Sequence, residues 1–170
     1  KVQSEQNVSG GNGDFDVVAS AVKSGVGCVQ VLFVRHGRVL GSKTFFPTHT
    51  KDSTSKEVLE AFLAQFYLAL HKDRDVPGDL IVSEPITDDR WFQDALRHAH
   101  GRRIGIRTSV RGERARWLRM AKANAAIAID QCLSSTLGEQ ERLDALNVVL
   151  GRDVAIERIE CFDISHLGGE

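Results

Sequence analysis

The stretch GVGCVQVLFVRHGRVLGSKTFFP, residues 25–47, decides the fold expected for this chain. Residues 28–34 carry apolar side chains on both faces, which is typical of a strand buried on both sides. His36 and Gly37 fit a two-residue turn, after which the chain returns as another strand. Together with the preceding DFDVVASAV, residues 14–22, the stretch predicts a meander of three strands.

A helix is predicted directly after the meander. Thr54 lies three residues before Glu57, which is the spacing of a capping box. Apolar side chains then repeat at helical spacing as far as Leu70 and form one wide face. Pro77 and Gly78 break the pattern, so this helix is expected to end before them.

Strands and helices alternate over the rest of the chain. The segment DLIVSEP, residues 79–85, predicts a short fourth strand, and the helix after it is expected to end at Gly101 in a left-handed conformation. A fifth strand is expected over residues 104–110. Two further helices are predicted: a long Ala-rich one that Gly112 opens, and a short one over residues 139–150.

The resulting order, β-β-β-α-β-α-β-α with a long C-terminal helix, predicts an α/β fold with a ribonuclease-H-like mixed sheet. Residues 1–13 are polar and Gly-rich and are predicted to be a linker, followed by a domain over residues 14–155. RIECFDISH, residues 158–166, predicts the beginning of another strand. Because the first residue is not Met, we expect the chain to be cut from a longer protein.

The composition is that of an ordinary soluble protein, with 42% hydrophobic and 26% charged residues and a net charge of −1. Cys28, Cys132 and Cys161 are far apart and form no CxxC pair, so neither a zinc ribbon nor a disulfide framework is predicted. A reducing cytoplasm is the expected location. No apolar run reaches the roughly 18 residues that a membrane helix needs, so no membrane contact is expected.

Positive charge is concentrated in one segment. Residues 102–122 hold eight Lys or Arg and one acid, a net +7, so the rest of the chain must carry −8. Helical geometry puts Arg116, Arg119 and Lys122 opposite the apolar face of the long helix, in position to follow a phosphate backbone. The alternative is a solvated face that only keeps the protein soluble.

Arg114 is predicted to differ from its neighbours, because it falls on the apolar side of the helix, where an unpaired charge is unfavourable. Either it faces a ligand at the start of the helix, or it pairs with an acid such as Glu84 or Asp16, and the ion pair is favoured. The candidate DNA-binding residues of this segment are Arg111, Arg114, Arg116, Arg119 and Lys122.

Carboxylates at two places are candidate metal ligands. Ribonuclease-H-like nucleases cluster carboxylates on their central strands to hold divalent ions. Asp16 in the first strand and Glu84 after the fourth are in position to form such a pair, although both fit strand ends equally well and a vestigial nuclease fold is the simpler interpretation. Asp163 lies in an apolar segment, where a carboxylate is unfavourable unless it is paired or binds metal, so it is the best single candidate.

Other chemistry-bearing residues give weaker signals. No GxSxG, Walker or HExxH motif is present. His36, His98 and His100 have no metal-ligand partner at a suitable spacing. Trp91 and Trp117 are predicted to pack in the core or between helices rather than to stack on bases.

Several blocks of the chain resemble the UvrC family of excinucleases. IECFDISHLGGE, residues 159–170, is similar to the ECFDISHTQGE stretch that opens the ribonuclease-H-type endonuclease domain of that family, with Leu167 and Gly168 where the family has Thr-Gln. The central region of the family is similar to CVQVLFVRHGRVLGSKTFFP (28–47), EVLEAFLAQFYL (57–68), LIVSE (80–84) and RGERARWLRMAKANA (111–125).

The resemblance implies a nucleotide-excision-repair nuclease that works with UvrB and cuts damaged double-stranded DNA on both sides of a lesion. It implies that Asp163 is the first catalytic aspartate of the 5′ nuclease, which uses Mg²⁺ or Mn²⁺ in the full-length parent, and that residues 156–170 are the first strand of that truncated domain. It further implies that the regions for 3′ cutting and for UvrB binding fall outside this chain.

We therefore expect residues 14–155 to be a catalytically silent domain that binds or positions DNA, with no cofactor of its own. One alternative is a protein-interaction or spacer domain without DNA contact. The other is a separate metal-dependent nuclease site at Asp16 and Glu84.

Overall fold

The computed structural model describes residues 13–69, 76–151 and 156. The elements are β1 (Phe15–Lys23), β2 (Val26–Arg35), β3 (Arg38–Phe45), α1 (Ser55–Leu63), a π-helix (Ala64–Ala69), β4 (Asp79–Val82), α2 (Asp89–His100), β5 (Gly105–Arg107) and α3 (Gly112–Val149). The strands and α-helices follow one another in the predicted order up to β5, and an additional π-helix follows α1.

The strands form one mixed sheet in the order β3-β2-β1-β4-β5. The meander is antiparallel, whereas β4 pairs parallel with both β1 and β5. The turn between β2 and β3 has positive φ at His36 (51°) and Gly37 (71°), as the two-residue turn predicts. The predicted mixed sheet and the three-strand meander are therefore confirmed.

Both faces of the sheet are covered by apolar layers, because successive side chains of a strand point to opposite faces. Val18 points to the face that α1, the π-helix and α2 cover. Its neighbours Val17 and Ala19 point to the other face, where Trp117 and Ala121 of α3 pack. The buried members of this second layer are Phe15, Val17, Ala19, Leu32, Val34, Ile81 and Ala121.

The predicted start of α1 and the predicted end of α2 are confirmed, whereas α1 itself ends at Leu63, before the predicted Leu70. Thr54 accepts a hydrogen bond from the backbone N–H of Glu57, whose side chain bonds back to the Thr54 backbone, completing the capping box. Asp88 caps α2 by accepting from the N–H of Trp91. Gly101 ends α2 with φ 66°.

Two predictions about the second half were wrong. The two predicted C-terminal helices are one continuous helix through Gly138, where a glycine costs only about 1 kcal/mol relative to Ala and no Pro interrupts. The hydroxyl of Thr136 donates to the Cys132 carbonyl one turn earlier and stays within the helix. The fifth strand is limited to three residues, because its partner β4 is itself only four residues long.

The chain divides into two compact units, Lys1–Gln131 and Cys132–Glu170, and the sheet belongs to the first. Among the residues that the structure describes, none of the helices combines the length and the apolar character that crossing a bilayer requires.

Candidate nucleic-acid interface

The first half of α3 has one buried face and one exposed face. Ala121, Ala125 and Ile129 are almost completely buried and recur every four residues, so they form the stripe that packs inward. The cationic side chains at positions 116, 119 and 122 fall outside this stripe and are exposed. The predicted division of the helix into an apolar and a basic face is confirmed.

The exposed cations form a row along the helix axis. Arg116, Arg119 and Lys122 are three residues apart, so their backbones rise by about 4.5 Å from one to the next. Arg111 is exposed just before the helix begins. Among the described residues, none of these four cations pairs with an acid. The guanidinium of Arg116 lies 5.9 Å from the ring centroid of Trp117.

Arg114 is held in an ion pair, as predicted, but its partner is neither of the acids that we named. Its Nη1 lies 3.1 Å from Oδ2 of Asp79, and its guanidinium lies 4.9 Å from the ring centroid of Phe15. Asp79 lies two residues before Ile81 in β4, so both side chains point to the face of the sheet that α3 covers. Arg107 binds the other oxygen of Asp79 at 3.2 Å.

Asp16 is a buried carboxylate with protein donors on both oxygens. Asp16 lies two residues before Val18 in β1, so its side chain points to the same face as Val18, away from α3. Only 2% of its surface is exposed. Nη1 of Arg35 lies 2.7 Å from Oδ1, and the hydroxyl of Tyr67 donates to Oδ2 at 2.9 Å. Tyr67 belongs to the π-helix, which the sequence pattern did not predict.

The arrangement of Asp16 does not favour the predicted metal pair with Glu84. Glu84 is half-buried in a bend after β4, whereas both oxygens of Asp16 already accept hydrogen bonds from Arg35 and Tyr67. Within residues 13–69, 76–151 and 156, no group of three or more His, Cys, Asp or Glu side chains is arranged to hold a metal ion. Asp16 is therefore paired with Arg35 in this structure, and its metal pair with Glu84 stays a prediction.

Asp163 lies outside the described residues, together with the predicted strand around it and most of the predicted linker. Its role as a metal ligand therefore stays a prediction.

The two tryptophans have different environments. Trp117 is half-buried against the second apolar layer, which confirms its predicted packing role. Trp91 is 60% exposed, so its predicted packing role was wrong. On α2 the neighbouring Phe92 and Leu96 occupy the inward positions, which turns Trp91 toward solvent.

The sequence analysis missed the residues that pair the buried charges: Asp79, Arg35 and Tyr67. A signal for Asp79 was present, because it lies two residues before the apolar Ile81 and so shares its face. Nothing in the pattern connects Tyr67 to Asp16, since these residues are 51 positions apart in the chain.

Comparison with known proteins gives matches over the whole chain. Residues 14–132 match the family model of the UvrC Ribonuclease H-like domain. The UvrABC system protein C of Edwardsiella ictaluri is 41% identical over 170 residues. Those of Pseudomonas aeruginosa and Ectopseudomonas mendocina are 44% and 45% identical. Each alignment covers all of this chain but only 28% of the relative, so the chain spans just over a quarter of the length of these proteins.

Proposed function

Because this chain belongs to the UvrC ribonuclease H-like domain family, we propose that it is part of a nucleotide-excision-repair nuclease and that it contributes a non-catalytic DNA-binding surface. The resemblance noted from the sequence is confirmed for the family and for the ribonuclease-H-like fold. UvrB as a partner, bound through parts of the protein outside this chain, and a cytoplasmic location belong to the same proposal.

The observation that carries the proposal is the exposed basic row formed by Arg111, Arg116, Arg119 and Lys122. Side chains without acidic partners are available to phosphate oxygens, and guanidinium groups bind these oxygens through two parallel hydrogen bonds. The row from Arg116 to Lys122 rises by about 9 Å, which is long enough to meet more than one phosphate of a strand.

The surroundings of Asp16 support a domain without catalysis of its own. A metal ion at this carboxylate would compete with the Arg35 guanidinium at Oδ1 and with the Tyr67 hydroxyl at Oδ2. A carboxylate that is already neutralised and hydrogen-bonded gains little from a second cation. We therefore assign cleavage to the longer protein, where Asp163 is the proposed ligand of Mg²⁺ or Mn²⁺.

The test is a double charge reversal, Arg116→Glu with Arg119→Glu, measured as duplex DNA binding over a range of salt concentrations. We expect the affinity to fall by roughly tenfold or more at 0.1 M salt, and the slope of log K against log salt to flatten by about two, because two phosphate contacts are lost.

A matched control reverses Arg38 and Lys51, which are exposed on β3 and in the loop after it. This control variant changes the net charge by the same amount at a site away from α3. We therefore expect it to keep most of the wild-type affinity for DNA. Equal affinity and salt slope for the wild type and the Arg116/Arg119 variant would contradict the DNA-binding role.

A protein-interaction role is a second candidate, favoured by the exposed Trp91. This side chain lines an apolar cavity of about 220 Å³ between α1 and α2, together with Leu63, Ile86 and Phe92. Exposed Trp is enriched at protein interfaces. Capture of a partner that survives nuclease treatment and is lost in Trp91→Ala would support this role, and a DNA shift by the chain with unchanged capture in that variant would contradict it.

A further inference from the structure

A polar cleft of about 330 Å³ runs along α2, away from the exposed row of α3. Two of its cations belong to α2 and one comes from the turn that leads to β5. The side chains that line it are all charged or amide groups, and none is aromatic or aliphatic. They are Arg90, Gln93, Asp94, Arg97 and Arg103.

The convergence of the three arginines follows from the local fold. Arg90 and Arg97 are seven residues apart, so they lie on one face of α2 with about 10 Å of rise between them. Gly101, with φ 66°, ends the helix and reverses the chain, which brings Arg103 back to the same cleft. Its neighbour Arg102 is used differently, because its guanidinium donates to the Val76 carbonyl.

The charges in the cleft are unbalanced. Three cations and the single acid Asp94 leave a net charge of +2. Among the described residues, none of the three arginines pairs with an acid. Like charges gathered in one concave site repel each other and raise the local concentration of anions, so the arrangement is favourable when an anion fills it.

We propose that this cleft binds the phosphodiester backbone of a nucleic acid strand. Guanidinium groups match phosphate oxygens in a two-pronged geometry. No aromatic side chain lines the cleft to stack on a base, so the charged groups favour contact with the backbone rather than with a base. The separation of Arg90 and Arg97 is longer than one phosphate group, which favours successive phosphates of a strand over a free phosphate ion.

The proposal for this cleft rests on the proposed DNA-binding function for the class of ligand. The cleft residues are different from those of the exposed row on α3. α2 packs on one face of the sheet and α3 on the other. The two basic surfaces therefore serve two different segments of nucleic acid. Each surface can be removed without touching the other.

The experiment measures binding of the chain to a fluorescent oligonucleotide and, in parallel, to inorganic phosphate. Arg97→Glu with Arg103→Glu should lower oligonucleotide affinity by roughly tenfold, with Arg116 and Arg119 unchanged. Asp94→Asn should raise it by roughly threefold, because it removes the acid of the cleft that repels phosphate. A gain of affinity cannot result from unfolding, so this variant tests the cleft even if the reversal destabilises the protein.

The outcomes separate the two proposals. Loss of binding in the Arg97/Arg103 variant together with the gain in Asp94→Asn supports the cleft, whatever the Arg116/Arg119 variant does. Unchanged affinity in both cleft variants overturns it, while loss in the Arg116/Arg119 variant alone leaves only the α3 surface. Inorganic phosphate bound as tightly as the oligonucleotide would identify a small-anion site and would also overturn the proposal.

Discussion

Arg114 and Arg116 lie two residues apart near the start of α3, yet their surroundings are opposite. Arg114 has 23% of its side chain exposed, pairs with Asp79 and lies over the Phe15 ring. Arg116 points to solvent and pairs with no acid in the described part of the chain. A two-residue step turns a helical side chain by about 200°, so neighbouring cations divide between a half-buried, ion-paired position and an exposed one.

The same contrast separates Arg35 from Arg97. Arg35 has 15% of its side chain exposed and holds the buried carboxylate of Asp16. Arg97 is exposed on α2 beside other cations. Burial, rather than residue type, therefore decides which arginines stabilise this fold, since a buried charge needs a partner and an exposed one does not.

The largest effect is expected from breaking the buried pair. Arg35→Met leaves the Asp16 carboxylate buried without its cation and should lower the free energy of unfolding by about 3–5 kcal/mol, as measured by urea denaturation. Adding Asp16→Asn in the same chain should recover part of this loss, because the amide is neutral. A loss below about 1 kcal/mol in the single variant, which is typical of an exposed ion pair, would contradict a stabilising role for the buried Arg35–Asp16 pair.

A smaller effect should separate the two neighbouring arginines of α3. Arg114→Ala removes an ion pair and a cation–π contact and should cost about 1–2 kcal/mol of stability. Arg116→Ala is the matched control and should stay within about 0.5 kcal/mol of the wild type. Equal losses from the two substitutions, in urea unfolding at one pH, would show that their different burial has no energetic consequence.

The smallest effect concerns an exposed charge with a defined local role. Hydrogen bonds from the Thr54 backbone N–H and then from its hydroxyl lower the pKa of Glu57 below its ordinary value of 4.5. Because the folded pKa is depressed, this stabilisation is present above the unfolded pKa and is lost as the pH falls through the folded pKa.

Glu57→Gln should therefore flatten a shallow loss of thermal stability in the acid range below pH 4.5 while changing little at neutral pH. Thermal unfolding followed from neutral pH into this range measures the effect. A wild-type melting temperature that rises on acidification would contradict a stabilising interaction between the Glu57 carboxylate and Thr54.

Much of the first compact unit could be predicted from local patterns. The meander, the capping box of α1 and the Gly101 end of α2 each depend on residues that are close in the chain, and all are confirmed. The single α3 was not predicted, because the penalty for Gly138 is small compared with the continuity of the helix around it.

The sequence by itself determined the order of strands and helices, the mixed sheet and the basic face of α3, because alternation and helical spacing are local properties of the chain. Tertiary structure alone decided which charges meet. Asp16 contacts Arg35 and Tyr67, and Asp79 contacts Arg114. These partners are 19 to 51 residues apart in the chain, and no periodic pattern predicts such contacts. The cleft along α2 is likewise closed by a chain reversal at Gly101, so its charge is a property of the fold.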